Sequence, residues 1–199
     1  MAATAQQFVV SRSITRMLLA RHCGLSASVL DLRKDARGKP YLEGAPRPIA
    51  FNVSHGGGFC ALAVGDVECV GVDIEAVPSS ADDLAESVFS SGEARQFAAL
   101  PAAARLPALI RAWVAKEAYL KATGEGLGGG IDSLELDLQP DATIKPIAIR
   151  GSRQALSHWH FHGFDVDDRV FGAVAIKADI QFAKLNIRRL DVEDVLPAS

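Results

Sequence analysis

At 199 residues, with 49% hydrophobic and 23% charged side chains, the chain can build one packed domain or two small halves and is too apolar for disorder. A net charge of −3 argues against broad nucleic-acid binding, which needs a basic face, and no apolar run reaches the roughly 18 residues of a membrane span. Three isolated cysteines (Cys23, Cys60 and Cys69) without a C-x-x-C pair read as reduced thiols, small core hydrophobes of a cytoplasmic protein.

The first thirty residues hold Arg12, Arg16 and Arg21 and no acid, a composition shared with amphipathic transit peptides. Val10, Ile14, Met17 and Leu18 recur at helical spacing, so a folded helix over about 11–22 is preferred, with the arginines on another face. Residues 31–40 form a charged stretch ending in a turn at Gly38 and Pro40. Strands are expected at Ile49–Val53, Phe59–Val64 and Val70–Glu75, with a loop at 77–80 and a helix starting near Asp82 and Asp83. Helical sequence resumes around Ser91–Phe97 and, after Pro107, runs to Lys121, where the glycines at 124–130 stop it. Four short strands follow near 133–138, 144–149, 158–164 and 170–177. Strands and helices without strict alternation indicate an α+β fold.

The strand period of two puts Gly71, Asp73 and Glu75 on one face of the third strand, opposite Val70, Val72 and Ile74. Two residues span about 6.6 Å, so both carboxylates can reach one ion. Magnesium, which prefers hard oxygen ligands and phosphate, suits such a pair; on this segment alone a solvated strand face is the simpler account. The long helix adds Trp113, Glu117 and Lys121, one turn apart along one face. Glu117 can complete a three-carboxylate site, and Lys121 can neutralise charge on a leaving phosphate.

Other motifs carry less. Asn52-Val53-Ser54-His55-Gly56 nearly matches a G-x-S-x-G elbow, but neighbours on a strand point apart, so Ser54 and His55 suit ligand contacts better than a Ser–His pair. Gly124-Glu125-Gly126-Leu127-Gly128-Gly129 matches G-x-G-x-x-G but follows a helix, the wrong context for a dinucleotide. His158, His160 and His162 alternate on one strand across about 13 Å, too far for three ligands to one zinc. Trp159 and Phe161 are expected to form the buried face.

Taken in order, Gly38-Lys39-Pro40, Asn52-Val53-Ser54-His55, Gly71-Val72-Asp73-Ile74-Glu75 and Trp113–Lys121 resemble the 4′-phosphopantetheinyl transferases of the surfactin-synthetase-activating type, over roughly residues 10–180. The resemblance implies two similar halves, residues 1–76 and 77–199, related by a pseudo-two-fold within one compact unit, with coenzyme A in the cleft between them. It implies transfer of the 4′-phosphopantetheine arm of coenzyme A to a serine of an apo acyl or peptidyl carrier protein, giving holo carrier and 3′,5′-ADP. By motif, Asp73, Glu75 and Glu117 are the magnesium ligands. Glu117 is also the base, Lys121 the residue that stabilises or protonates the leaving group, and His55 a pyrophosphate donor. Lys39, Ser54, Arg12 and Lys116 are nucleotide or phosphate contacts, and the protein is expected to be a monomer. This chain departs from the family in having Gly56 where serine is common and in a short segment before the Arg12 helix. A non-catalytic module that binds coenzyme A or a carrier protein, and a metal-dependent coenzyme A hydrolase, are the competing readings.

Overall fold

The computed structural model describes residues 5–45, 47–77, 82–179 and 185–195. Helix α1 (Ala5–Cys23) opens the chain, followed by strands β1 (Asp31–Lys34), β2 (Pro40–Glu43), β3 (Ala50–Gly56), β4 (Phe59–Gly65) and β5 (Cys69–Ala76). Helices α2 (Asp82–Val88), α3 (Ser91–Ala99) and α4 (Ala102–Thr123) come next. Strands β6 (Leu134–Leu136), β7 (Pro146–Ile149), β8 (Trp159–Asp165) and β9 (Val170–Lys177) and helix α5 (Val192–Val195) complete the described elements. All described pairing is antiparallel: three hairpins, β1–β2, β3–β4 and β6–β7, and a three-stranded sheet ordered β5–β9–β8. This mixed, antiparallel architecture agrees with the α+β expectation. No described helix is long and apolar enough to cross a membrane.

Three local differences from the sequence expectations have physical causes. Around the expected turn at 35–39, residues 31–34 and 40–43 pair as a hairpin. Each strand has four residues with one inward leucine, Leu32 or Leu42, between exposed neighbours, too short a run to show alternation, and the turn is held by the Asp35 carboxylate, which accepts the N–H groups of Arg37 and Lys39 at 2.9 and 2.8 Å. Helix α4 starts before Pro107, not after it. Pro107 is exposed, so the carbonyl it leaves without a donor can turn to water, and Arg105 ties this first stretch to the carbonyls of Ala98 and Leu100. On α1 the buried side is Thr15, Leu19, Ala20 and Cys23, not Val10, Ile14, Met17 and Leu18. Leu19, Ala20 and Cys23 pack there with Leu30, Leu42 and Phe51, and the Arg16 guanidinium donates to the carbonyls of Ala27 and Leu30. Of the three free thiols, Cys23 alone is buried; Cys60 is exposed, contrary to its expected place in the core.

Strand β5 organises the rest. Every residue from Val70 to Ile74 is buried. One long edge pairs with β9 from Cys69↔Lys177 to Ala76↔Val170. The other edge is met by side chains of β3: Asn52 Oδ1 accepts the Val72 N–H at 3.0 Å and Ser54 Oγ accepts the Ile74 N–H at 3.4 Å. These bonds satisfy strand N–H groups that burial would otherwise leave orphaned. A Cβ on Gly56 would lie 2.1 Å from the Ile74 carbonyl oxygen, so the position where serine was expected admits only glycine at this approach.

The face of β5 that carries Gly71, Asp73 and Glu75 lies against α4. A Cβ on Gly71 would sit 2.0 Å from the Ala118 carbonyl oxygen and 2.4 Å from the Ala122 nitrogen. Backbone therefore meets backbone here, helped by the small buried residues Ala115, Ala118 and Ala122. Gly71→Ala is expected to cost about 3 kcal/mol in chemical denaturation, since helix and strand must separate. Gly128→Ala, with nothing within 4 Å of its added Cβ, should shift stability by less than ~0.5 kcal/mol.

Candidate active site

Helical and strand periods together decide which side chains meet. Asp73 projects from β5 at the level of Lys121, one turn beyond Glu117 on α4. Its carboxylate is 1% exposed, and Oδ1 accepts bonds from the Lys121 ammonium at 2.6 Å and the Ser54 hydroxyl at 2.9 Å. Lys121 also donates to Ser54 Oγ at 3.0 Å. The second oxygen, Asp73 Oδ2, is buried without a hydrogen-bond partner.

Glu75 and Glu117 are half-buried beside it. Burial raises the carboxyl pKa of Glu75 above its ordinary value, and the charge of Asp73 raises it further; Lys121 opposes and Glu117 adds to the rise. The Glu117 carboxyl is raised first by burial and then by Asp73, again against Lys121. One ammonium thus faces three carboxylates. His55 is exposed at the far end of β3, where partial burial and then the Lys121 charge hold its imidazole pKa below the usual histidine range. Ser54 and His55 point to opposite sides of the strand, as the alternation predicts: Ser54 inward to Asp73, His55 outward.

The donor set fits a hard divalent cation. Three carboxylates converge, two of them crowded into raised pKa values, and one buried oxygen has no partner. The set is gathered but not closed: no three His, Cys, Asp or Glu among the described residues stand around one ready metal position, and Lys121 takes Asp73 Oδ1.

Three basic residues singled out from sequence lie elsewhere. Lys116 is 0% exposed and points into the core, where its ammonium donates to Glu93 Oε2 at 2.8 Å and to the Val88 carbonyl at 3.0 Å; as placed, it is a buried structural cation and not a phosphate contact. Lys39 donates to the Ala122 carbonyl, its stem alongside Gly124. There it neutralises the carbonyl end of α4, and burial pushes its ammonium pKa down. Arg12 is exposed on α1, an element that packs against β4, residues 27–29 and α5. On β8, Trp159 and Phe161 turn onto Tyr119 of α4, with centroids 4.9 and 6.4 Å away, while His158 is exposed near Asp179. Two residues that matter were not singled out from sequence. Asn52 holds the edge of β5, and Glu93 receives Lys116. The S-x-x-E spacing of Ser90 and Glu93 signals the capping box they form, but no local pattern announces the lysine.

The raised pKa values set a sign. A carboxyl raised in the fold contributes stability that is full below its ordinary value of 4.5 and is lost as pH climbs through the raised value. Magnesium is therefore expected to raise the melting temperature at about pH 7 and far less at about pH 4.5, where the acids hold protons. Glu117→Gln should raise the metal-free midpoint at neutral pH and remove most of the magnesium gain. A midpoint indifferent to magnesium at both pH values would refute the ion site.

The model of the 4′-phosphopantetheinyl transferase superfamily matches residues 69–175, and that of the 4′-phosphopantetheinyl transferase N-terminal region matches residues 2–66. The chain is similar to the 4′-phosphopantetheinyl transferase HetI of a Nostoc species, 29% identical over 86% of this chain and 70% of the relative. It is 29% identical to 4′-phosphopantetheinyl transferase psf-1 of Bacillus pumilus, over 71% of this chain and 60% of the relative. The L-aminoadipate-semialdehyde dehydrogenase-phosphopantetheinyl transferase of Homo sapiens is 27% identical over 87% of this chain and 62% of the relative. The chain thus spans between 60 and 70% of the length of these relatives. With its four motifs in order and a family model covering more than half its residues, the chain belongs to the 4′-phosphopantetheinyl transferase superfamily.

Proposed function

We propose that the chain transfers the 4′-phosphopantetheine arm of coenzyme A to a serine of an apo acyl or peptidyl carrier protein, releasing 3′,5′-ADP. The observation that carries this reading is the meeting of Asp73, Glu75, Glu117 and Lys121 across the β5–α4 contact, in a chain of this family. Asp73, Glu75 and Glu117 would hold a magnesium ion, whose charge offsets that of the pyrophosphate.

The residues then divide the remaining work. Glu117, beside Asp73 on the helix that faces β5, would take the proton of the serine hydroxyl, directly or through a water. The serine oxygen forms a bond to the β-phosphorus while the bridging oxygen–phosphorus bond breaks, its electron pair leaving with 3′,5′-ADP. Lys121 is anchored by Asp73 and Ser54 and has a third donor for the charge that grows on that oxygen. His55, exposed at the end of β3, can donate a hydrogen bond to the pyrophosphate. Phosphoryl transfer asks for little beyond such positioning and neutralisation.

We further propose that residues 1–76 and 77–199 form two similar halves with coenzyme A between them. β5, the last strand of the first half, joins the sheet of the second through β9. Cytoplasmic location and a monomer accord with the reduced thiols and a cleft built within one chain.

Incubation with magnesium, coenzyme A and an apo carrier should increase the carrier mass by one phosphopantetheine arm. Glu117→Ala should lower the rate at least ~100-fold with the fold intact. Free phosphopantetheine with an unlabelled carrier would identify a hydrolase. Coenzyme A binding without any reaction, across several competent carriers, would identify a binding module.

A further inference from the structure

Lys116 and Glu93 form a buried ion pair that no step of the proposed reaction uses. Lys116 is 0% exposed and Glu93 2%. The Glu93 carboxylate binds more than the lysine. Oε2 also accepts the Ser90 N–H at 2.9 Å, and Oε1 accepts the Leu136 N–H at 2.9 Å. Lys116 adds a bond to the Val88 carbonyl at 3.0 Å. Four elements therefore converge on one pair of charges: the end of α2, the start of α3, β6 and the middle of α4.

Stability alone does not account for it. A buried ion pair generally gains little over apolar side chains of the same volume, because desolvating two charges offsets their attraction. What the pair does supply is direction. The two bonds of Lys116 require a particular rotation and height of α4, which Leu or Met at position 116 would not. Glu117 is the next residue, 100° further round the helix, and its carboxylate must arrive beside Asp73 and Glu75. On its strand side α4 lies close to Gly71 of β5 through small residues, Ala115 and Ala118, with Lys121 bonded to Asp73 and Tyr119 packed on Trp159 and Phe161. The Lys116–Glu93 pair holds another side of the helix, against α2, α3 and β6.

We infer that Lys116 is a positioning residue: its buried pairing with Glu93 fixes the rotation of α4, so that Glu117 presents to Asp73 and Glu75. The kinetic consequence rests on the transferase reading; the mechanical consequence does not. Lys116 touches neither substrate nor ion. It acts through the helix.

The test uses the neutral pair K116M/E93Q, which leaves no uncompensated buried charge, beside Ser90→Ala, which keeps both charges and removes only the hydroxyl that accepts the Glu93 N–H. Hydrogen exchange followed by mass spectrometry is read first. Amides of residues 113–121 and 69–76 are expected to exchange at least tenfold faster in the double variant than in wild type, and measurably faster in Ser90→Ala. Acceleration confined to 88–96 and 134–138 would mark a local brace and overturn the inference, and so would no acceleration at all. If the double variant does not fold, the exchange in Ser90→Ala decides by the same criterion. In the transfer assay, kcat of the double variant should fall tenfold or more with KM for coenzyme A within twofold; unchanged kcat would likewise overturn positioning. A wild-type protein that labels no carrier would sink the proposed function, while the exchange result still decides the role of Lys116.

Discussion

Strand β5 and helix α4 touch backbone to backbone at Gly71, with no room for a single additional carbon. The proposed site depends on that approach. It brings the strand residues at odd positions, Gly71, Asp73 and Glu75, against a helix whose facing residues include Ala118, Glu117 and Lys121. Three carboxylates and one ammonium then share one side of the contact, Asp73 buried and the other two acids half-buried. Two acids respond by raised pKa values, and the third keeps an unpartnered buried oxygen. Such crowding is unfavourable for the fold by itself, and a cation with phosphate oxygens in its shell would relieve it.

The neighbouring strand β3 supports the same arrangement from the other side. Asn52 and Ser54 take the place of a backbone ladder along the free edge of β5, and Ser54 reaches through to Asp73. A hydroxyl read from sequence as a ligand contact thus serves to orient an acid. Gly56 permits the last step of this packing, against the Ile74 carbonyl.

Two lysines five residues apart on α4 show how neighbours decide the use of a residue. Five residues turn the helix by about 140°, so Lys121 and Lys116 leave it in nearly opposite directions. Lys121 meets Asp73 with its side chain 30% exposed, available to a ligand. Lys116 meets Glu93 in the core and has no route to solvent. A sequence that reads Lys116-Glu117 as adjacent site residues is correct about the helix and silent about its surroundings.

The elements with regular periodicity were legible from residues alone: β3, β4, β5, β8, β9 and the main run of α4. Those resting on other forces were not. The β1–β2 hairpin has four residues in each strand with one inward leucine apiece, and a single aspartate holds its turn; the first turns of α4 precede an exposed proline. The rotation of α1 puts Leu19, Ala20 and Cys23 in a cluster with Leu30, Leu42 and Phe51, partners that the helix's own periodicity does not name. Spacing alone was enough to put Asp73 and Glu75 on one face of a strand and Glu117 and Lys121 on one face of a helix, because side-chain direction follows backbone period. Which face would be buried, and what would lie across from it, depended on contacts between residues far apart in the chain, 48 positions for Asp73 and Lys121. Tertiary structure therefore decided that this strand face lies against a helix instead of facing solvent. It also made Lys39 the cap of a helix end and Lys116 half of a buried pair, since a lysine takes the nearest oxygen the fold presents and local sequence does not name that oxygen.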